Sequence, residues 1–143
     1  TMTQALGVLP TQCVLEIGTG SGYQAAVLAK LARRVHTIER HRPLAEQARA
    51  RFAAMKFRNI DSHVGDGSKG WPHAGPYERI IVTAAAVEIP QALLAQLTIG
   101  GVMVIPVGLH VADQFLLRLT RVAEDEVRKE VLNAVRFVPL VAG

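Results

Sequence analysis

Residues 16–22 run Glu16-Ile17-Gly18-Thr19-Gly20-Ser21-Gly22. Three glycines at alternate positions follow an apolar run and precede an Ala- and Leu-rich stretch. They let the backbone turn sharply and come within van der Waals contact of a ligand. The spacing G-x-G-x-G is neither the G-x-G-x-x-G of dinucleotide folds nor a G-x-x-x-x-G-K-[ST] phosphate loop. Alone it reads equally well as a tight strand-to-helix turn. Two acidic residues alter that weighing. Glu39 closes a short β-branched run and can accept two hydrogen bonds from ribose hydroxyls. Its alternative is a surface Glu beside Arg40, His41 or Arg42. Asp66-Gly67 follows a third apolar run, where Asp can accept from an adenine amino group and Gly leaves room for the base. Its alternative is a local Asx turn. Three such features at the ends of three successive strands favour a nucleoside pocket over coincidence.

Little else in the sequence is arranged for chemistry. The five His residues (36, 41, 63, 73, 110) have no metal-ligand spacing, so no metal is expected. The single cysteine, Cys13, excludes an internal disulfide, fits a reducing compartment and reads as a small buried hydrophobe. Trp71, in a glycine-rich stretch, reads as a lid or packing residue. Sixteen Lys and Arg against 12 Asp and Glu give a net charge of +4. The basic residues are scattered at helical spacing without interleaved aromatics, a solvated face rather than a nucleic-acid stripe. Half of the 143 residues are apolar and a fifth are charged, which is globular composition for one domain spanning 1–143. No apolar run reaches membrane-spanning length, and no export signal is visible.

The elements that would position these residues alternate. Strands are predicted at residues 13–17, 35–39, 60–64, 80–83 and 102–107, with helices at 23–34, from Pro43 onward, and at 90–97. Leu44, Ala48, Phe52 and Met55 form one apolar face of the second helix. Residues 65–77, with four glycines and two prolines, read as a long loop, and Gly100-Gly101 as the end of the third helix. Two more strands, 115–122 and 131–138, lack an intervening helix and suggest an antiparallel hairpin at one edge. The expected fold is α/β: a Rossmann-like, doubly wound, mostly parallel seven-stranded sheet. Its ligand would sit beyond the strand carboxyl ends.

At this level of detail the residues resemble a known family. The glycine loop with Glu16 and Glu39 resembles the S-adenosylmethionine site of class I methyltransferases. The segment from Val14 to Gln24 is similar to the first motif of the protein-L-isoaspartate O-methyltransferase family. Gly65-Asp66-Gly67 with Gly70-Trp71, and Ile80-Ile81-Val82-Thr83-Ala84-Ala85-Ala86 with Ile89-Pro90, resemble its next segments. Gly100-Gly101, Ile105-Pro106-Val107-Gly108 and Phe137-Val138-Pro139-Leu140 continue the likeness, which runs from about Met2 to Gly143. The glycine motif is specific only to the class. The segments 83–86 and 137–140 are much more specific to the family.

The resemblance implies a soluble cytoplasmic enzyme, expected to be monomeric, that uses S-adenosylmethionine to methylate the carboxylate of isoaspartyl residues in damaged proteins, a repair reaction. It implies cofactor contacts at Glu16, Gly18, Gly20, Ser21, Gly22, Glu39, Arg40, Asp66 and Gly67. It places Thr83, Ala84, Ala85, Val138 and Pro139 on the acceptor side. No nucleic-acid or membrane partner is implied. Members of the family usually carry an N-terminal segment ahead of the part matching Met2 to Leu6, including a hydroxyl-bearing loop near the reacting carboxylate. No catalytic residue is therefore assigned. The 143 residues are expected to bind the cofactor and to methylate an isoaspartyl peptide poorly or not at all. The alternatives are a methyltransferase of a small molecule or modified peptide, and a cofactor-binding but inactive fragment. A dehydrogenase is disfavoured by the glycine spacing.

Overall fold

The computed structural model describes residues 2–108, 110, 113–135 and 137–140. In chain order the elements are α1 (Met2–Leu6), β1 (Cys13–Ile17), α2 (Tyr23–Leu31), β2 (Arg34–Glu39), α3 (Arg42–Ala54), β3 (Ile60–Val64), β4 (Tyr77–Val82), α4 (Gln91–Ala95), β5 (Leu97–Val107), β6 (Gln114–Ala123) and β7 (Glu126–Val135). Short 3-10 turns at Gly67–Lys69 and Pro72–Ala74 occupy the β3–β4 connection. The strands form one sheet in the order β3-β2-β1-β4-β5-β6-β7. The first five strands pair in parallel, β6 is antiparallel to β5, and β7 is antiparallel to β6. No described helix is long and apolar enough to cross a membrane.

Alternating side chains bury both faces of the central strands. Val14, Val35, Ile81 and Val104 pack against Leu6, Ala25, Leu28, Ala48 and Phe52 of α1, α2 and α3. Leu15, Ile17, Ile38, Ile80, Val82, Met103 and Ile105 face the other way, onto Leu93 of α4 and Trp71 and Ala74 of the β3–β4 connection. A parallel sheet covered on both faces accounts for the near-continuous apolar runs of β1 and β4. Cys13 is buried and unpaired, and burial raises its thiol pKa.

Several expected boundaries shift, for identifiable reasons. The α2 helix stops at Leu31, and Arg34 already belongs to β2. β4 begins at Tyr77, where the polar pair Glu78-Arg79 hid the strand. The expected strand end Thr83 lies just beyond it. Gly100-Gly101 does not end a helix. β5 starts at Leu97 and carries both glycines inside it, with Gly100 at φ 85° and the β4–β5 register shifting opposite them. Glycine in a strand often marks such a bulge.

β7 starts at Glu126, five residues before the expected position, because an edge strand with exposed faces tolerates its charged run. It ends at Val135, so residues 137–140 leave the β6–β7 hairpin. On α3 the buried row is Ala45, Ala48 and Phe52, whereas Leu44 and Met55 are 39% and 56% exposed. Residues 2–6, given no element from the sequence, form α1.

Candidate functional site

The carboxyl ends of β1, β2 and β4 open onto a cavity of about 350 Å³ lined by Gly18, Gly20, Glu39, Arg40, Gly67, Thr83, Ala84, Val138 and Pro139, among others. That size falls within the range of small-molecule sites, roughly 300–1,000 Å³. Larger clefts of about 500 and 590 Å³ exist elsewhere, but neither touches the glycine loop. The cavity lies where open α/β sheets hold their ligands.

The loop glycines do different work. Gly18 has φ 96°, and a Cβ there would stand 2.6 Å from Thr83 Oγ1. The Thr83 hydroxyl lies 3.0 Å from the carbonyls of both Ile17 and Gly18, so β1 and β4 are tied together where the loop begins. Gly20 has φ 52° and faces open space. Its N–H donates to Glu39 Oε1 at 3.0 Å, while the His41 N–H donates to Oε2 at 3.0 Å. Glu39 is only 7% exposed, so both oxygens are oriented by backbone donors while the residue lines the cavity. Each carboxylate oxygen retains a further lone pair for a ligand hydroxyl.

Other expected residues stand outside the cavity wall. Gly22 caps α2, and a Cβ there would meet the Phe52 ring at 2.8 Å, which makes it a packing glycine. Ser21 is exposed, and its carbonyl accepts from the Arg51 guanidinium at 2.7 Å. Asp66 Oδ1 accepts from Ser68 N–H at 3.0 Å and from its hydroxyl at 2.7 Å, the local Asx turn weighed from the sequence. Gly67 next to it does reach the cavity, and an added Cβ would lie 2.3 Å from Ile17 Cγ2. Ala85 is buried behind the wall. Its N–H donates to the Val138 carbonyl at 2.7 Å, and its carbonyl accepts from Leu140 N–H at 2.6 Å.

Glu16 lies beneath the floor and is fully buried. A hydroxyl chain reaches it from the glycine loop: Thr19 Oγ1 is 2.6 Å from Thr37 Oγ1, which donates to Glu16 Oε1 at 2.6 Å. Glu16 Oε2 has no hydrogen-bond partner. Burial pushes the Glu16 carboxyl up to about 8, against the lowering effect of the Thr37 hydrogen bond, and the charge of Glu39 adds to the rise. Glu16 is therefore a neutral acid near pH 7 and supports the loop from within.

Sequence reasoning missed Ile17, Ile38, His41, Leu44 and Leu140, which also line the cavity. Leu44 carried no signal: its spacing to Ala48 and Phe52 reads as core, and it is the burial of Ala45, Ala48 and Phe52 that leaves it for the cavity. His36, His63 and Trp71 form a separate cluster. His36 Nδ1 is 3.1 Å from His63 Nε2, and His63 stacks on Trp71 with ring centroids 4.1 Å apart. Burial lowers the pKa of both histidines. Among the described residues, no group of three or more His, Cys, Asp or Glu is placed to hold a metal ion.

Comparison with known proteins adds to this geometry. The family described as protein-L-isoaspartate(D-aspartate) O-methyltransferase matches residues 1–143. The chain belongs to that family. It is 57% identical over 143 residues to a protein-L-isoaspartate O-methyltransferase of Rhodospirillum rubrum, covering 99% of this chain and 65% of the relative. It is 57% identical to one of a Ruegeria species, covering 99% of this chain and 66% of the relative. The chain thus spans about two thirds of the length of these relatives.

A solved protein-L-isoaspartate O-methyltransferase superposes with a TM-score of 0.91 at 27% identity, covering 99% of this chain and 45% of that one. A Plasmodium falciparum protein, described as a putative member of the family in complex with S-adenosyl-L-homocysteine, shares the fold with a TM-score of 0.75 at 22% identity, covering 98% and 69%. The expected fold class, a Rossmann-like and mostly parallel seven-stranded sheet with an antiparallel edge, is the one observed.

Proposed function

We propose that the strand-end cavity binds S-adenosylmethionine and that the protein directs methyl transfer to the side-chain carboxylate of isoaspartyl residues in damaged proteins. The observation that carries this reading is Glu39. It is a buried carboxylate at the end of β2, fixed by two backbone N–H groups and facing a cavity of nucleoside size. The residues present fit the cofactor. Gly20 leaves open space at the loop, Glu39 offers acceptors for two ribose hydroxyls, and Gly67 gives a flat wall for a base. Arg40 and Asp66 flank the nucleoside end in this reading. Gly18 and Gly20 border the methionine part, with Ser21, Gly22 and Glu16 supporting the loop that holds it.

The bound cofactor supplies an electrophilic methyl group on a sulfonium. What this chain contributes is placement. An acceptor carboxylate is ionised at pH 7, so no general base is required. Thr83, Ala84, Val138 and Pro139, with Ala85 behind them, bound the far end of the cavity and face the acceptor. Ala84, Val138 and Pro139 offer apolar surface there, and excluding water favours a reaction in which opposite charges neutralise. In-line alignment of oxygen, carbon and sulfur is the main source of rate, and a misplacement of about 1 Å can cost roughly a hundredfold.

Replacing Glu39 by Ala is expected to weaken S-adenosylmethionine binding by about 1.5–3 kcal/mol, the range for hydrogen bonds to a charged group. Isothermal titration calorimetry measures this directly, and unchanged affinity would take Glu39 out of the site. Methyl transfer to an isoaspartyl peptide, with its aspartyl twin as control, tests the acceptor. Equal transfer to both, or to neither when a cofactor-bound state is demonstrated, counts against the repair reading.

A further inference from the structure

We propose that Gln114 is a positioning residue whose side-chain amide holds residues 137–140 across the strand ends as the acceptor-side wall of the cavity. The inference rests on the methyl-transfer reading for the word acceptor. The geometry of the strap stands independently of it.

β7 ends at Val135, which pairs with Gln114 at the start of β6. Among the described residues the β6–β7 pairing extends no further. The Gln114 side chain takes its place: Phe137 N–H donates to Gln114 Oε1 at 2.6 Å, and Gln114 Nε2 donates to the Phe137 carbonyl at 3.0 Å. One amide thus satisfies both backbone groups of one residue, as a neighbouring strand would. Gln114 is 2% exposed, so its amide has no competing water. Gln is rarely fully buried unless its polar atoms are paired.

The strap has a second tie. Ala85 N–H donates to the Val138 carbonyl at 2.7 Å, and Leu140 N–H donates to the Ala85 carbonyl at 2.6 Å. Ala86 in turn bonds Pro106 and Gly108. Val138, Pro139 and Leu140 all line the cavity. Gln114 therefore sets where the strap enters, and Ala85 sets where it rests. Neither contact involves Glu39, whose oxygens are oriented by the Gly20 and His41 N–H groups. Shifting the entry point should disturb the wall made by residues 138–140 and spare the ribose contacts of Glu39.

The test uses Gln114→Leu, which keeps the volume and removes both hydrogen bonds, and Gln114→Glu, which keeps the acceptor and loses the donor. In Gln114→Leu, amide hydrogen exchange at Ala85, Phe137 and Leu140 is expected to speed up at least tenfold, with Ile81 and Val104 unchanged. S-adenosylhomocysteine affinity should stay within threefold, while affinity for an isoaspartyl peptide, titrated into the S-adenosylhomocysteine complex, falls at least tenfold. Gln114→Glu should give an intermediate effect, and it decides the matter if the Leu variant fails to fold. Unchanged exchange at Ala85 and Leu140 overturns the proposal. So does a parallel fall in both affinities tracking lost global stability, which is what a merely structural role produces. If the unsubstituted chain binds S-adenosylhomocysteine but no peptide, the acceptor role is refuted. If it binds neither, the methyl-transfer reading fails, and the exchange rates alone decide whether Gln114 holds the strap.

Discussion

Gly20→Val is expected to abolish binding of S-adenosylmethionine, by at least about a hundredfold or ~2.7 kcal/mol, in a protein that still folds. The backbone at Gly20 has φ 52°, and a Cβ there meets nothing within 4 Å. Gly20 lines the cavity. The branched side chain would occupy the volume the ligand needs and would displace the Gly20 N–H that orients Glu39. Stability should fall by only about 1–2 kcal/mol, the cost of an L-residue in the left-handed region. Gly7→Val is the control, since Gly7 has φ 63°, is equally open, and does not line the cavity. Similar melting of the two variants with binding lost only in Gly20→Val supports the account. Retained binding in Gly20→Val reduces the glycine loop to a turn.

Glu16 gives the largest expected effect on stability. Burial raises its carboxyl pKa to about 8, whereas in the unfolded chain it ionises near its ordinary 4.5. Between those values the folded state keeps a proton that the unfolded state has released, so stability falls as pH rises. The slope approaches about 1.4 kcal/mol per pH unit, and the total loss by pH 8 is on the order of several kcal/mol. His36 and His63 act in the opposite sense below their ordinary 6.5, because their folded pKa values are lowered. The difference between wild type and Glu16→Gln cancels the histidines. That difference should be small near pH 4.5 and grow in favour of the Gln variant towards pH 8 in urea denaturation. A pH-independent difference would mean that Glu16 is ionised in the fold.

The sheet was legible because β1, β2 and β5 are short apolar runs separated by turn residues. The cavity was legible because Gly18 and Gly20 follow β1, Glu39 ends β2 and Gly67 comes shortly after β3. What stayed hidden depends on the third dimension. Leu44 lines the cavity only because Ala45 and Ala48 take the core side of α3. The role of Asp66 could not be divided between turn and ligand by type alone, since Asp serves both. Charged edge residues hid the start of β7. The strap at 137–140 reads as the end of a strand by composition, and its departure from the hairpin becomes visible only through Gln114 and Ala85.

The central claim is that residues from the ends of β1, β2 and β4 form a site for S-adenosylmethionine. The most direct test is calorimetric titration of the 143-residue chain with S-adenosylmethionine and, separately, with S-adenosylhomocysteine and NAD. Saturable one-to-one binding of the first two, mutually competitive and lost in Gly20→Val, with no heat from NAD, is the predicted result. A folded chain that binds neither sulfur nucleoside, or that binds NAD as well as either, would contradict it.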